Sequence, residues 1–315
     1  MNGELLTVGI DIGGTSVRAV VVDGDGTILA ARRGSTPTTT AATEDLLARL
    51  VTELAAELPV AAVGLAVAGF ISADQQRVMF APHLAWRDTP VPALLSERLA
   101  LPVMMDHDVN SAAWAEYCLG AAAGASVALL IALGTGIGAG LLLDGRIFRG
   151  AHGIAPELGH LTVVPDGRPC PCGKRGCWER YCSGTALAAT AVHRWHQAGR
   201  AVPGRIPVAD VTGTVVAAAA ADGDPEAMAA MHEMGHWLGI GLALAADVLD
   251  PEVIVIGGGV SGAAGLYLPQ ALKVMRAEIT GGAHRPHPRV EVAAFGDRAA
   301  AIGAGLLARE QLLPG

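Results

Sequence analysis

Aromatic residues make up only 4% of this 315-residue chain, so its core has to be built from Ala, Val, Leu and Ile. Positive charge is also in short supply. A formal net charge of −8 disfavours an extended nucleic-acid surface, because phosphate backbones are bound through clusters of Lys and Arg; any phosphate site must be local. No apolar run approaches the roughly 20 residues that a membrane span needs. The longest core-like stretch is Val127 to Leu133. The N-terminus has no basic patch followed by an apolar segment, so no secretory signal is visible and the cytoplasm is the expected compartment. Cysteine is scarce too. Of the five, Cys170, Cys172 and Cys177 fall within eight residues, a spacing poorly suited to a disulfide framework and well suited to metal. Cys118 and Cys182 read as buried thiols.

What is present is an ordinary globular composition, 51% hydrophobic and 17% charged, too apolar for disorder. The length favours two domains, each with its own core. An apolar run, Leu5 to Ile12, breaks at Gly13 and Gly14 and resumes as Val17 to Val22 before the turn Asp23-Gly24-Asp25-Gly26. The pattern returns as Val127 to Leu133, then Gly134-Thr135-Gly136-Ile137-Gly138, Ala139 to Leu143, and Asp144-Gly145. Asp23 lies ten positions after Gly13, and Asp144 ten positions after Gly134, which suggests an internally duplicated fold. Between the hairpins the periodicity predicts a helix from Thr43 to Leu58, with Thr43 as N-cap, and a strand at Val60 to Val67. Helical segments are expected at 184–197, 225–249, 265–280 and 297–311, interrupted by one strand, Val253 to Ile256. The class is α/β.

Three glycine-rich turns follow apolar strands: Asp11-Ile12-Gly13-Gly14-Thr15, Gly134-Thr135-Gly136-Ile137-Gly138 and Gly257-Gly258-Gly259. Glycine lets the backbone approach an anion and point N–H groups at phosphate oxygens. None of the three fits G-x-x-x-x-G-K-[ST], and no G-x-G-x-x-G opens a helix, so neither a Walker P-loop nor a Rossmann dehydrogenase is supported. His160 with Cys170, Cys172 and Cys177 makes a His-Cys₃ set. A closed set of four nitrogen and sulfur ligands is the pattern of structural zinc, with no position left for water. Glu157 lies three residues before His160, so on a helical turn the two share a face. Asp108 reads either as a helix N-cap for 110–119 or as a functional carboxylate.

Taken together, Gly9-Ile10-Asp11-Ile12-Gly13-Gly14-Thr15, Leu133-Gly134-Thr135-Gly136-Ile137-Gly138, Glu157-Leu158-Gly159-His160 and Cys170-Pro171-Cys172-Gly173-Lys174-Arg175-Gly176-Cys177-Trp178-Glu179 resemble the ROK family (repressors, open reading frames, kinases), in particular its actinobacterial glucokinases. The resemblance covers nearly the whole chain, and the cysteine segment is its most specific part. It implies a two-domain actin/hexokinase-like (ribonuclease H-like) fold with a duplicated core and an interdomain cleft. A small N-terminal domain of residues 1–110 would be joined by a C-terminal helix at about 297–315, and residues 111–296 would form a large domain with the zinc-binding segment.

The resemblance further implies an ATP-dependent glucokinase with Mg²⁺, acting on the 6-hydroxyl of glucose. Asp108 matches the catalytic base, able to take the proton of the attacking hydroxyl. Gly69, His83, His107, Asp108, Glu157, His160 and Glu179 match sugar-contacting positions. Asp11, Gly13, Gly14, Thr15, Gly134, Thr135, Gly136, Gly257, Gly258 and Gly259 match the nucleotide and Mg²⁺ positions. Two residues depart from the pattern: His107 stands where Asn commonly precedes the base, and His83, in Ala81-Pro82-His83-Leu84, replaces another Asn. Neutral His offers one donor and one acceptor where Asn offers more, and it can titrate. The alternatives are a kinase for another hexose or N-acetyl amino sugar (mannose, N-acetylglucosamine, N-acetylmannosamine), polyphosphate as donor, and a sugar-sensing regulator. The regulator branch carries a DNA-binding region ahead of the first glycine motif, and only ten residues precede Asp11. The expected partners are a hexose and ATP, with no nucleic acid or membrane, and the chain is expected to form a homodimer.

Overall fold

The computed structural model describes residues 5–313. Residues 1–4 and 314–315, which belong to the expected first domain and closing helix, lie outside the described residues. Alternating Val, Ile and Ala make β1 (Leu6–Ile12), β2 (Ser16–Val22) and β3 (Ile28–Ser35), an antiparallel meander with Ile10 opposite Ala19 and Val20 opposite Ala31. Helix α1 (Thr40–Ala55) leads to β4 (Val60–Val67), parallel to β1 with Gly9 opposite Gly64. A small sheet of β5 (Phe70–Ile71), β6 (Val78–Phe80) and β7 (Arg87–Thr89) precedes α2 (Val91–Leu99). Then come β8 (Val103–His107), parallel to β4, and α3 (Asp108–Leu119). The first large sheet has the order β3-β2-β1-β4-β8.

The second repeats the scheme. Strands β9 (Val127–Leu133), β10 (Ile137–Leu143) and β11 (Arg146–Ile147) are followed by α4 (Glu179–Cys182), α5 (Gly184–Gln197), α6 (Gly213–Ala221) and α7 (Pro225–Leu249). After them come β12 (Val253–Gly257), α8 (Ala264–Glu278), β13 (Arg289–Val292) and α9 (Ala299–Glu310). The sheet order is β11-β10-β9-β12-β13, with β12 parallel to both β9 and β13. The two sheets share one order of strands, the duplication that the equally spaced glycine breaks predict.

The chain divides into two compact units. The first takes the described residues up to Ser126, Gly140–Pro156 and those from Asp297 on; the second takes Val127–Ala139 and Glu157–Gly296. The boundary expected at residue 110 falls inside α3, all of which lies in the first unit, where it packs on α9. Helix α9 also lies directly on β1 and β4. A Cβ at Gly9 or Gly64 would come within 1.9 Å of the carbonyl oxygens of Ala301 and Ala304, so only glycine allows this approach. Thr7 Oγ1 donates to Gly305 O at 2.8 Å. Among the described residues, no helix is long and apolar enough to cross a membrane.

Thr39, not Thr43, caps α1, its hydroxyl accepting from Ala42 N. Thr43 is 2% exposed and returns its own hydroxyl to Thr39 O at 2.9 Å, because it lies on the face that the helix buries. In the second unit Ser183 caps α5 and Asp224 caps α7. The few aromatics are used as anchors. Trp178 is fully buried and donates its Nε1–H to Trp237 O at 2.8 Å. Its ring occupies the place that a Cβ on Gly241 of α7 would take, 1.9 Å away.

Candidate active site and metal centre

In the first unit, the turn after β1 is tied down on both sides. Gly13 N donates to Ser16 O at 3.1 Å, Thr36 Oγ1 donates to Gly13 O at 2.6 Å, and Thr36 N donates to Thr15 O at 3.1 Å. Gly14 and Thr15 are exposed at its tip. A Cβ on Gly14 would lie 2.6 Å from His83 Cβ, so the Ala81–Leu84 loop stands against this turn. Gly69 packs on Phe80 and Ala81, at the start of the same loop.

Asp108 opens α3, where the positive end of the helix favours a carboxylate. Its Oδ1 accepts from Val109 N at 2.8 Å and lies 3.4 Å from His107 Nε2. Oδ2 makes no hydrogen bond to the described residues. The helix-cap role is thus minimal, and one oxygen is left for another proton donor. Burial pushes the Asp11 carboxyl up to about 7, the negative charge of Asp108 adds to this, Arg18 opposes it, and Asp297 adds a little more. Arg18 in turn pairs with Asp297 at 2.8 Å. A carboxyl held partly protonated beside a second carboxylate and next to a glycine turn suits an oxygen-preferring divalent cation, whose charge would release the proton.

The structure adds residues that the motifs do not reveal. Asp106, 5% exposed at the end of β8, accepts at Oδ1 from His107 N (2.7 Å) and Asn110 Nδ2 (2.9 Å). At Oδ2 it accepts from Arg149 Nε (3.0 Å), from Arg149 Nη2 and from Gln75 Nε2 (3.1 Å). The available signal was a buried-register acid following Met104-Met105, which needs a partner to be tolerated.

In the second unit, the other two glycine turns come together. Gly258 has φ 86° and faces Leu133, whose carbonyl oxygen would be 2.5 Å from a Cβ there; Val260 N donates to that same oxygen at 3.3 Å. Gly184 N, at the start of α5, donates to Gly134 O at 2.8 Å. Gly257 is buried at the end of β12, while Thr135 and Gly259 are exposed. Gly136 faces Glu179, whose Oε2 would be 2.5 Å from a Cβ there.

Residues 158–160 form a single 3₁₀ turn with Glu157 before it, and the two ring nitrogens of His160 face different neighbours. Nε2 lies 3.8 Å from Glu157 Oε2; Nδ1 lies 3.7 Å from Cys170 Sγ and 3.8 Å from Glu179 Oε1. One imidazole can therefore serve two tasks, a metal on one side and a hydroxyl on the other. The candidate ligand atoms of His160, Cys170, Cys172 and Cys177 all lie within 4.8 Å of one another. Cys172 Sγ and Cys177 Sγ are 3.6 Å apart, close to the edge of about 3.8 Å that sulfur ligands at about 2.3 Å from a tetrahedral ion would span. The cluster therefore fits a metal ion. Its loop is held by Cys170 N to Lys174 O (2.9 Å) and Gly173 N to Cys170 O (3.0 Å). Trp178, next to Cys177, pins it to α7.

A family model described as ROK family matches residues 7–311. The glucokinase of Streptomyces coelicolor is 38% identical over 310 residues, 97% of this chain and 98% of that one. A crystal structure of a ROK family glucokinase from Streptomyces griseus, in complex with glucose and AMPPNP, is similar with a TM-score of 0.89 and 39% identity, covering 97% and 99% of the two chains. The ROK hexokinase from Thermus thermophilus is similar with a TM-score of 0.81 and 32% identity, covering 98% and 99%. With its duplicated sheets, its paired glycine turns and a match along almost its entire length, this chain belongs to the ROK family and has the actin/hexokinase-like α/β fold of the family's sugar kinases.

Proposed function

We propose that the protein is a glucokinase that transfers the γ-phosphoryl group of ATP to the 6-hydroxyl of glucose. The observation that carries this reading is the match over 97% of the chain to a glucokinase crystallised with glucose and AMPPNP. Asp108, with Oδ2 uncommitted, accepts the proton of the attacking hydroxyl as the new P–O bond forms and the bond from the γ-phosphorus to the bridging oxygen breaks, releasing ADP. Glu157, Glu179 and the Nε2 side of His160 hold sugar hydroxyls through charge-assisted hydrogen bonds. Gly69, His83 and His107 line the sugar's approach to the base. The N–H groups at the tips of the turns, at Gly14–Thr15, Thr135–Gly136 and Gly258–Gly259, donate to phosphate oxygens, while Gly13, Gly134 and Gly257 shape the turns that present them.

Asp11 is the carboxylate that would hold Mg²⁺, which supplies charge neutralisation on the transferring phosphates. His160, Cys170, Cys172 and Cys177 would hold zinc in a closed structural site that fixes Glu179 and His160. Reduced thiols and a nucleotide donor both suit the cytoplasm.

The test is a coupled assay with ATP or polyphosphate as donor and glucose, mannose, N-acetylglucosamine or N-acetylmannosamine as acceptor. ATP with glucose should give the highest kcat/KM, and Asp108→Asn should lower kcat at least about a hundredfold with folding intact. A higher kcat/KM with another sugar overturns the glucokinase reading. Most activity surviving in Asp108→Asn removes it as the base.

A further inference from the structure

The geometry points to Asp106 as the positioning residue for Asp108, with Arg149 as its counter-ion. This rests on the reading of Asp108 as the base. The two oxygens of Asp106 have separate work. Oδ1 grips the start of α3 at His107 N and Asn110 Nδ2, the residues that bracket Asp108. Oδ2 grips Gln75, in the turn between β5 and β6, and the guanidinium of Arg149, in the segment after β11. One buried carboxylate thus fastens the β8–α3 junction to two segments distant in sequence.

Solvent has limited access to these contacts. The cavity bordered by Gln75, Asp106, Arg149 and Gln311 is about 20 Å³, room for about one water molecule. The Asp106 side chain is 6% exposed and that of Arg149 27%, so the pair is only lightly screened. The two-pronged guanidinium contact fixes direction as well as distance. Among the described residues, Asp108 has only the Val109 N–H and His107 within hydrogen-bond reach, so its orientation is inherited from the junction that Asp106 holds. A shift of about 1 Å in a reacting group costs on the order of a hundredfold in rate.

The test is a double-mutant cycle on the full-length enzyme, with kcat and KM for glucose and ATP measured for Asp106→Asn in the wild-type and Asp108→Asn backgrounds. Asp106→Asn alone should lower kcat about tenfold or more, with KM for ATP changed less than about twofold, and in Asp108→Asn it should add almost nothing. Arg149→Lys keeps the charge and loses the fork, so it should give a smaller loss that likewise vanishes in the Asp108→Asn background. It carries the same comparison where Asp106→Asn fails to fold. Equal losses in both backgrounds overturn the positioning role while leaving the base in place. So does a lowered Tm with unchanged kcat. An Asp108→Asn enzyme that stays active overturns the base, and the positioning role with it.

Discussion

His107 Nε2 lies 3.4 Å from Asp108 Oδ1, and the ring occupies the position where the family resemblance leads one to expect Asn. A ring N–H in this position can donate to Oδ1 and hold the carboxylate with Oδ2 turned toward the attacking hydroxyl. His107→Ala should therefore lower kcat with glucose by about fivefold or more, roughly the worth of one hydrogen bond, and His107→Asn should recover part of that loss. Steady-state kinetics on the three proteins decide the matter. Equal kcat values remove His107 from the mechanism.

Asp11 yields a stability prediction with the opposite sign to that of most carboxylates. Its folded-state pKa of about 7 lies above the 3.8 of an ordinary aspartate, so folding retains a proton that the unfolded chain releases. Stability contributed this way is complete below about pH 4 and lost as pH rises to about 7, at a cost of up to about 4 kcal/mol. In chelator without nucleotide, Asp11→Asn should raise Tm most at pH 8, by about a third as much at pH 5, and hardly at all at pH 4. Equal shifts at all three pH values would show that burial and Asp108 do not set this group's charge.

Removing one ligand from the His-Cys₃ cluster opens a closed site. Cys172→Ser should lose zinc and thermal stability together, because the binding free energy of a structural metal is also folding free energy. Metal analysis beside a thermal melt reads both. Active wild-type enzyme containing no zinc is the result that refutes the assignment.

Gly241→Ala tests how the metal segment is anchored. The added methyl meets the Trp178 ring, and overpacking of this kind costs about 1–3 kcal/mol. Because Glu179 follows Trp178, KM for glucose should rise alongside the fall in Tm. A lower Tm with unaltered KM would separate the anchor from the sugar site.

Local patterns were readable in the sequence and distant ones were not. Strand β4, helices α5 and α7 and the three clustered cysteines follow from spacing within a few residues, while His160 joins them from ten residues upstream. Helix α6 and strand β13 escaped: α6 is a nearly uniform run of alanines with no amphipathic contrast, and β13 is four residues with three exposed. The cap of α1 was misplaced because Thr38, Thr39, Thr40 and Thr43 look alike until packing shows which one is buried. The Asp106 network and the raised Asp11 carboxyl rest on Gln75, Arg149 and Asp108, partners tens of residues away or more, and no local spacing encodes them.

The contact between Thr7 and Gly305 sets an order on biosynthesis. A ribosome releases β1 and β4 more than two hundred residues before the helix that covers them, α9. The second unit's main stretch, Glu157–Gly296, is released before α9 and can fold first, the reverse of the N-terminal-first order of domains strung along a chain. The first unit must wait. A nascent chain stalled just short of Ala299 would leave Gly9 and Gly64 facing water on an uncovered sheet, a surface suited to chaperone capture.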